Sequence, residues 1–338
     1  MLHSPPTLSG GHAVIPFLRK RWFLLTLVVV MAIGISLCDR LEPVSKMKPV
    51  RNGLVATVLF LMALPLEASA MWQALRRPWP PLLAVMVNLG LLPLFAWALS
   101  KGLNEDLGAG LLVAAVTPCT LASASVWTRR AGGNDAVSIL VTIITNSICF
   151  LVTPVWLYLM IGAAADNPVL KQALDPSRMI PRLALIVVLP MAAAQLLRLH
   201  RPFAAWATQQ KPVTSIFAQC GILSMVMLGA IGVGLRLRDS ATLDLLDVIA
   251  MLVVVCVVHV TMLWTGVRIA KILRFTREDQ IAVAFAGSQK TLTVGLLVAM
   301  SLQVSILPMV WYHVSQLFID TLFADRYRRE AEETAESD

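Results

Sequence analysis

Charge is what this chain has least of. Of its 338 residues only 14% are Asp, Glu, Lys or Arg, where an ordinary soluble domain holds roughly a quarter. With 57% hydrophobic residues and a mean hydropathy of +0.75, no sizeable soluble domain can be fitted into it. Cysteine is sparse too. Cys38, Cys119, Cys149, Cys220 and Cys256 all lie in apolar segments without CxxC or His-paired spacing, which points to small core residues and to neither a disulfide framework nor a cysteine metal site. GxSxG, HExxH, Walker A and paired intramembrane aspartates are missing as well. These absences argue against an embedded hydrolase or an ATP-driven pump, so the chain reads as a non-enzyme without a cofactor. Energy then has to come from an ion gradient or from the substrate itself.

What is present is a succession of apolar runs, each near the length of roughly 17 to 25 residues that crosses a bilayer. Breaks at charged or Pro/Gly-rich positions give ten: 22–38, 53–72, 81–100, 107–127, 136–161, 181–198, 214–235, 246–267, 280–300 and 304–324. The fold expected is all-α and polytopic, with the lipid bilayer as its first partner. Arg19, Lys20 and Arg21 precede the first run as they would in a signal peptide, but no A-x-A-like cleavage site follows, so a retained span is expected. The net charge of +8 sits in short connections, where basic residues orient membrane proteins and meet anionic headgroups; nucleic acid is not the partner it suggests. Seventeen Lys and Arg fall on the side of the termini and ten on the other, with Lys290 outside the count. Both termini should therefore be cytoplasmic, in a plasma (cell inner) membrane.

Five spans and five spans divide the chain into a cytoplasmic segment 1–21, a first repeat 22–162, a connecting loop 163–180, a second repeat 181–324 and a cytoplasmic tail 325–338. An odd number per half makes the two halves insert in opposite senses, the arrangement of inverted-repeat transporters. Interruptions fall at matching places: TPCTLASAS in the fourth span and AGSQKTLTVG in the ninth. Such pairs are the sequence pointer to a midplane binding site. The terminal segments MLHSPPTLSGGH and RYRREAEETAESD carry no pattern that requires order.

Pro118 should break the fourth helix, and the freed carbonyls, with the hydroxyls of Thr117, Thr120, Ser123 and Ser125 nearby, are hard oxygen ligands of the kind a small cation needs. A tolerated proline kink packed by small residues is the other reading. In the fifth span Ser138, Thr142 and Asn146 share one helix stripe, which suits a substrate path and interhelical hydrogen bonding equally. Asn88 and His259 stand midway along the third and eighth spans; an intramembrane His serves as a satisfied core residue or as a proton carrier. Lys290 is the sharpest signal, because a central lysine costs at least about 2.5 to 3.5 kcal/mol on insertion scales. It faces a cavity, pairs with an acid, or snorkels to an interface. Glu67 and Asp320 are the acids nearest in kind, and both fall close to expected cytoplasmic helix ends.

LFLMALPLEAS, Asn88 with LLPLFAWALS, PCTLASASVWTRRAGGNDAVSILVT and FAGSQKTLTVG together resemble the bile acid:sodium symporter superfamily, and more closely its SBF-like branch, related to the seventh member of the mammalian bile-acid carrier family. The resemblance implies two inverted five-helix repeats, a panel of spans 1, 2, 6 and 7, and a core of spans 3 to 5 and 8 to 10 with crossing fourth and ninth helices. It also implies two sodium sites: one from Ser125, Ser138 and Thr142, the other from Asn88 and Gln289. The acid that the better-known symporters place four residues before that glutamine is Phe285 here, and the residue after it is Lys290. An ammonium there would stand where a sodium ion is otherwise bound and would repel one strongly.

The function expected is secondary active transport of a small organic anion by alternating access, coupled to sodium or protons. The ion and substrate positions expected are Asn88, Thr120, Ser123, Ser125, Ser138, Thr142, His259, Ser288, Gln289, Lys290 and Thr291. A non-transporting membrane sensor or regulator that keeps the carrier fold is the alternative.

Overall fold

The structure is a computed structural model and describes residues 11–66, 78–121, 123–162, 168–239 and 244–337. Helices account for nearly all of it, and the described residues include no strand. In chain order they are α1 Gly11–Ser36, α2 Cys38–Ser45, α3 Lys48–Ala63 and α4 Trp79–Ser100. Next come α5 Glu105–Val116, α6 Ser123–Arg130, α7 Asp135–Met160, α8 Pro168–Ala173 and α9 Pro176–Leu197. The last are α10 Arg201–Gln209, α11 Lys211–Asp239, α12 Leu245–Ile272, α13 Arg277–Ser288, α14 Leu292–Leu302 and α15 Leu307–Ser337.

Local chemistry sets several boundaries. Asn104 and Thr276 cap α5 and α13 by accepting from the N–H groups of Asp106 and Asp279, and two acids follow in the first turn of each helix, where the helix dipole favours them. By length and composition six helical stretches among the described residues can cross a bilayer, and a seventh is gained if Trp22–Ser36 and Cys38–Ser45, bent by 99°, form one span. The protein is thus a multi-pass integral membrane protein.

Helices α1, α2, α3, α9 and α11 pack on one another, and α4 to α7 pack with α12 to α15. The stretch Arg277–Leu302 differs from the other candidate spans among the described residues: its most apolar window is 100% buried, whereas none of the others exceeds 56%. Lipid cannot reach it, so its polar residues need partners in the protein. Cys38, Cys119 and Cys149 are buried as expected; Cys220 is exposed and Cys256 half-buried, and all five are free thiols.

Three details add to the expectations. The segment expected as a tail from residue 325 is helical, because α15 continues to Ser337, and its start is tied by Arg130 to Asp325 at 2.6 Å and by Arg277 to Tyr327 O at 2.8 Å. The connection 163–180 contains α8 and the first turn of α9, and α10 follows α9 as a further short helix. Asp320 is no helix-end charge but is fully buried. Glu67 and residues 1–10 lie outside the described residues.

Candidate ion and substrate site at the helix crossing

Two broken helices meet back to back. The first break follows from covalent structure: Pro118 has no N–H with which to prolong α5, and Thr117 already takes extended angles (φ −73°, ψ 157°). The five carbonyls from Val116 to Thr120 then need outside donors, and each finds a different one. Thr153 Oγ1 serves Val116 O at 2.8 Å, Lys290 Nζ serves Thr117 O at 2.8 Å, and the Thr291 N–H serves Pro118 O at 2.9 Å. Asn146 Nδ2 serves Cys119 O at 2.8 Å and Thr142 Oγ1 serves Thr120 O at 3.1 Å. Cys119 N–H donates to Thr145 Oγ1 at 3.2 Å. The polar stripe on α7 therefore holds the first break open.

The second break, Gln289 to Thr291, contains no proline, and side chains of α15 hold it. Gln316 clamps Lys290 from both sides, accepting from its N–H at 2.9 Å and donating to its C=O at 3.1 Å. Tyr312 OH donates to Ser288 O at 2.8 Å, and Gln289 Nε2 donates to Asp320 Oδ2 at 2.5 Å. Tyr312, Gln316 and Asp320 recur every four residues and so share one face of α15. None of the three is among the expected site residues, yet their spacing is the signal that marked Thr142 and Asn146 on α7.

The contact between breaks is close because Gly287 has no side chain; a Cβ there would come within 3.1 Å of Val87 Cγ1. Val87 opens a π-helical turn, Val87–Leu91, inside α4. The Leu92 N–H turns back to Val87 O, and Pro93 offers no hydrogen, so Asn88 O and Leu89 O lose their helical donors. Trp156 Nε1 takes Leu89 O at 2.7 Å, and Lys290 takes Asn88 O.

Lys290 Nζ, fully buried, donates to Asn88 O at 2.6 Å, Thr117 O at 2.8 Å and Asn88 Oδ1 at 3.0 Å. Snorkelling is ruled out, and among the described residues no carboxylate is its partner. All three neighbours are acceptors, so an ammonium with three hydrogens satisfies them and a neutral amine with two would not. Asn88 Nδ2 meanwhile donates to Gln289 O at 2.9 Å and Ala286 O at 3.0 Å, locking α4 to the end of α13.

Beside this cation lies a buried pair of ionisable groups. His259 Nε2 lies 2.9 Å from Asp320 Oδ1, with both side chains fully buried. His259 Nδ1 faces Ser288 O at 3.3 Å; a carbonyl only accepts, so this nitrogen is assigned the hydrogen. Gln289 links the pair to the first break, since its Oε1 accepts from Ser123 Oγ at 2.9 Å, and Ser123 reaches Thr120 Oγ1 at 3.2 Å.

Most of the expected residues thus converge: Asn88, Thr120, Ser123, Thr142, His259, Ser288, Gln289, Lys290 and Thr291. Ser138 stands away from the breaks, bonded to Thr128 Oγ1 at 2.7 Å, and Ser125 is half-buried on α6. Both oxygens of Asn88, one of the residues expected at a sodium site, accept from Lys290 Nζ. Among the described residues no group of three or more His, Cys, Asp or Glu is placed to hold a metal.

A family model described as the SBF-like CPA transporter family matches residues 21–329, spanning both breaks and α15 as far as residue 329. The chain belongs to that family. Among its relatives, sodium/bile acid cotransporter 7 of Rattus norvegicus is 26% identical over 326 residues, covering 90% of this chain and 91% of that protein. An uncharacterized Pseudomonas aeruginosa protein, PA2026, is 26% identical over 296 residues, covering 85% and 86%. YocS of Bacillus subtilis, an uncharacterized sodium-dependent transporter, is 29% identical over 175 residues, covering 51% and 52%. Membership of the SBF-like family makes the chain a transporter-family protein rather than an enzyme, within the bile acid:sodium symporter superfamily.

Proposed function

We propose that the protein is a secondary transporter that moves a small organic anion by alternating access, with a lysine occupying the place of a coupling cation. The observation that carries this reading is the coordination of Lys290 Nζ by three neutral oxygens where two broken helices cross. Carbonyl and amide oxygens in that arrangement are a small-cation site, and here a covalently attached cation fills it. In this reading the chain makes ten spans in two inverted five-helix repeats, both termini cytoplasmic in the plasma (cell inner) membrane. The group α1–α3, α9 and α11 is the panel, and α4–α7 with α12–α15 is the core that rocks against it.

Asn88, Thr117 and Lys290 hold the crossing together. The positive dipole ends of α6 and α14 lie at the two breaks and favour a negative charge, to which Lys290 adds its own. Movement of a proton falls to His259 and Asp320, because Lys290 needs all its hydrogens to satisfy its acceptors. Gln289 and Ser123 couple that pair to the first break. Ser125, Ser138 and Thr142 serve as hydroxyl lining along α6 and α7.

Reconstitution into liposomes tests the reading, with uptake of an organic-anion panel measured under separate sodium and pH gradients. Uptake driven by a pH gradient and indifferent to sodium is expected; strictly sodium-dependent uptake, left unchanged in Lys290→Ala, would refute the substitution of lysine for sodium. Ligand binding without flux of any anion under either gradient would assign the chain to a sensor or regulator instead.

A further inference from the structure

Three arginines from three helices close on one end of α14. Arg51 of α3 donates to Met300 O at 3.4 Å and Arg182 of α9 to Ser301 Oγ at 3.1 Å. Arg236 of α11 donates to Gln303 O at 2.9 Å and Val304 O at 3.3 Å. Gln303 takes the left-handed conformation (φ 56°) that ends a helix, which leaves the last carbonyls of α14 to outside donors. As helix-end capping this is ordinary for Arg236, whose Nε also has the Asp106 carboxylate at 3.5 Å.

Arg51 and Arg182 are different. Neither has a carboxylate partner among the described residues. Arg51 is only 8% exposed, and its Nε finds no acceptor. The charge of Arg182 acts on it repulsively. A helix C-terminus offers only about half a negative charge, which is less than two guanidiniums require. Next to Arg182 and Ser301 lies a cavity of about 80 Å³ walled by Met179, Leu183, Leu297 and Leu302. Arg182 on the wall of a small apolar cavity, with the buried Arg51 close enough to feel its charge and lacking an acceptor at Nε, describes a ligand with one anionic head and a short aliphatic body.

We infer that this end of α14 is an anion-operated latch, at which a small organic carboxylate or sulfonate places its head between Arg51 and Arg182 and its body in the cavity. The inference rests on the transport reading and supplies its entry site. A guanidinium bonds an anionic oxygen about twice as strongly as a neutral one, so the arriving anion displaces Met300 O and Ser301 Oγ as partners. That frees α14 from α3 and α9, while Arg236, compensated by Asp106, keeps its hold on the end of the helix.

The test uses the purified full-length protein with butanesulfonate as probe, butanol as its uncharged counterpart and sodium chloride at matched ionic strength. A ligand that binds the folded state raises Tm with the logarithm of its concentration. Butanesulfonate should do so and butanol should not. Arg182→Gln, at an exposed residue outside the helix crossing, should weaken the apparent affinity by about ten-fold or more without changing the ligand-free Tm by more than a few degrees. Arg51→Gln should act in the same direction; because Arg51 is buried and its loss also unsettles the fold, Arg182→Gln is the deciding variant. No Tm rise specific to butanesulfonate, or an unchanged affinity in Arg182→Gln, overturns the site. Opening is read by maleimide labelling of Met300→Cys, outside the cavity wall, with Cys220 and Cys256 replaced by serine. Labelling should accelerate with butanesulfonate bound, and a rate that does not move overturns the latch. Neither readout depends on flux, so a protein that binds and opens but does not transport fails the transport reading alone.

Discussion

The two helix breaks solve one backbone problem with different chemistry. At the first, proline removes a donor, and neutral hydroxyl and amide groups of α7 service three of the five carbonyls left over, the second break serving the other two through Lys290 and the Thr291 N–H. At the second, no proline is needed, because α15 supplies a glutamine clamp, a phenol and a carboxylate, and the break itself contributes a lysine. One break is therefore electrically neutral and the other concentrates the ionisable groups of the buried centre. On the proposed transport reading a neutral break is a passive support, whereas the one that gathers His259, Asp320, Tyr312 and Lys290 is where coupling and charged ligands act. The first frames the site and the second operates it.

Substitutions can sharpen or dissolve that contrast. The largest loss should come from Asp320→Ala, which strands the His259 imidazole and the Gln289 amide; removing one partner of a buried pair costs about 3 to 5 kcal/mol, read as a fall in Tm. Lys290→Met should follow at about 3 kcal/mol, since three buried acceptors lose their donor at a net cost near 1 kcal/mol each. Its companion Lys290→Ala should convert the crossing into a true cation site, so that sodium but not choline raises its Tm, while wild type responds to neither. Gln316→Leu should cost about 2 kcal/mol by stranding both backbone groups of Lys290. On the neutral side Asn146→Leu should cost about 1 to 2 kcal/mol, and Pro118→Ala less than about 1 kcal/mol, because α7 holds that break whether or not the proline is there. If Asn146→Leu proved as damaging as Asp320→Ala, the division between a supporting and an operating break would collapse.

Much of this is legible in the sequence, for reasons particular residues make plain. Pro118 announces the first break because its effect is covalent and local. Asn88 and Lys290 announce themselves by being polar where the neighbours are apolar, and both arrive at the crossing. The partnership between them is not legible, since Lys290 invites an acid and meets three neutral oxygens instead. Those oxygens are backbone or amide groups that composition does not display, released by a proline five residues downstream of Asn88. Asp320 misleads because its position near the end of an apolar run suggests a headgroup-level charge. Its spacing from Gln316 and Tyr312, four and eight residues, is the clue that it faces inward. The arginines at the end of α14 are visible only as loop charges; their convergence comes from three helices far apart along the chain.

The π turn in α4 has a further consequence. One additional residue in a helix rotates everything beyond it by about 100°, so the stretches before Val87 and after Leu91 present differently aimed faces to their neighbours. A single rod thereby carries two addresses: Ala84 packs in the cluster around Cys119 and Ala286, and Leu92 in the larger core with Leu107 and Val113. Insertions and deletions inside Val87–Leu91 would act as a dial on which side chains meet the crossing, redirecting a whole half-helix without changing one residue that touches the lysine.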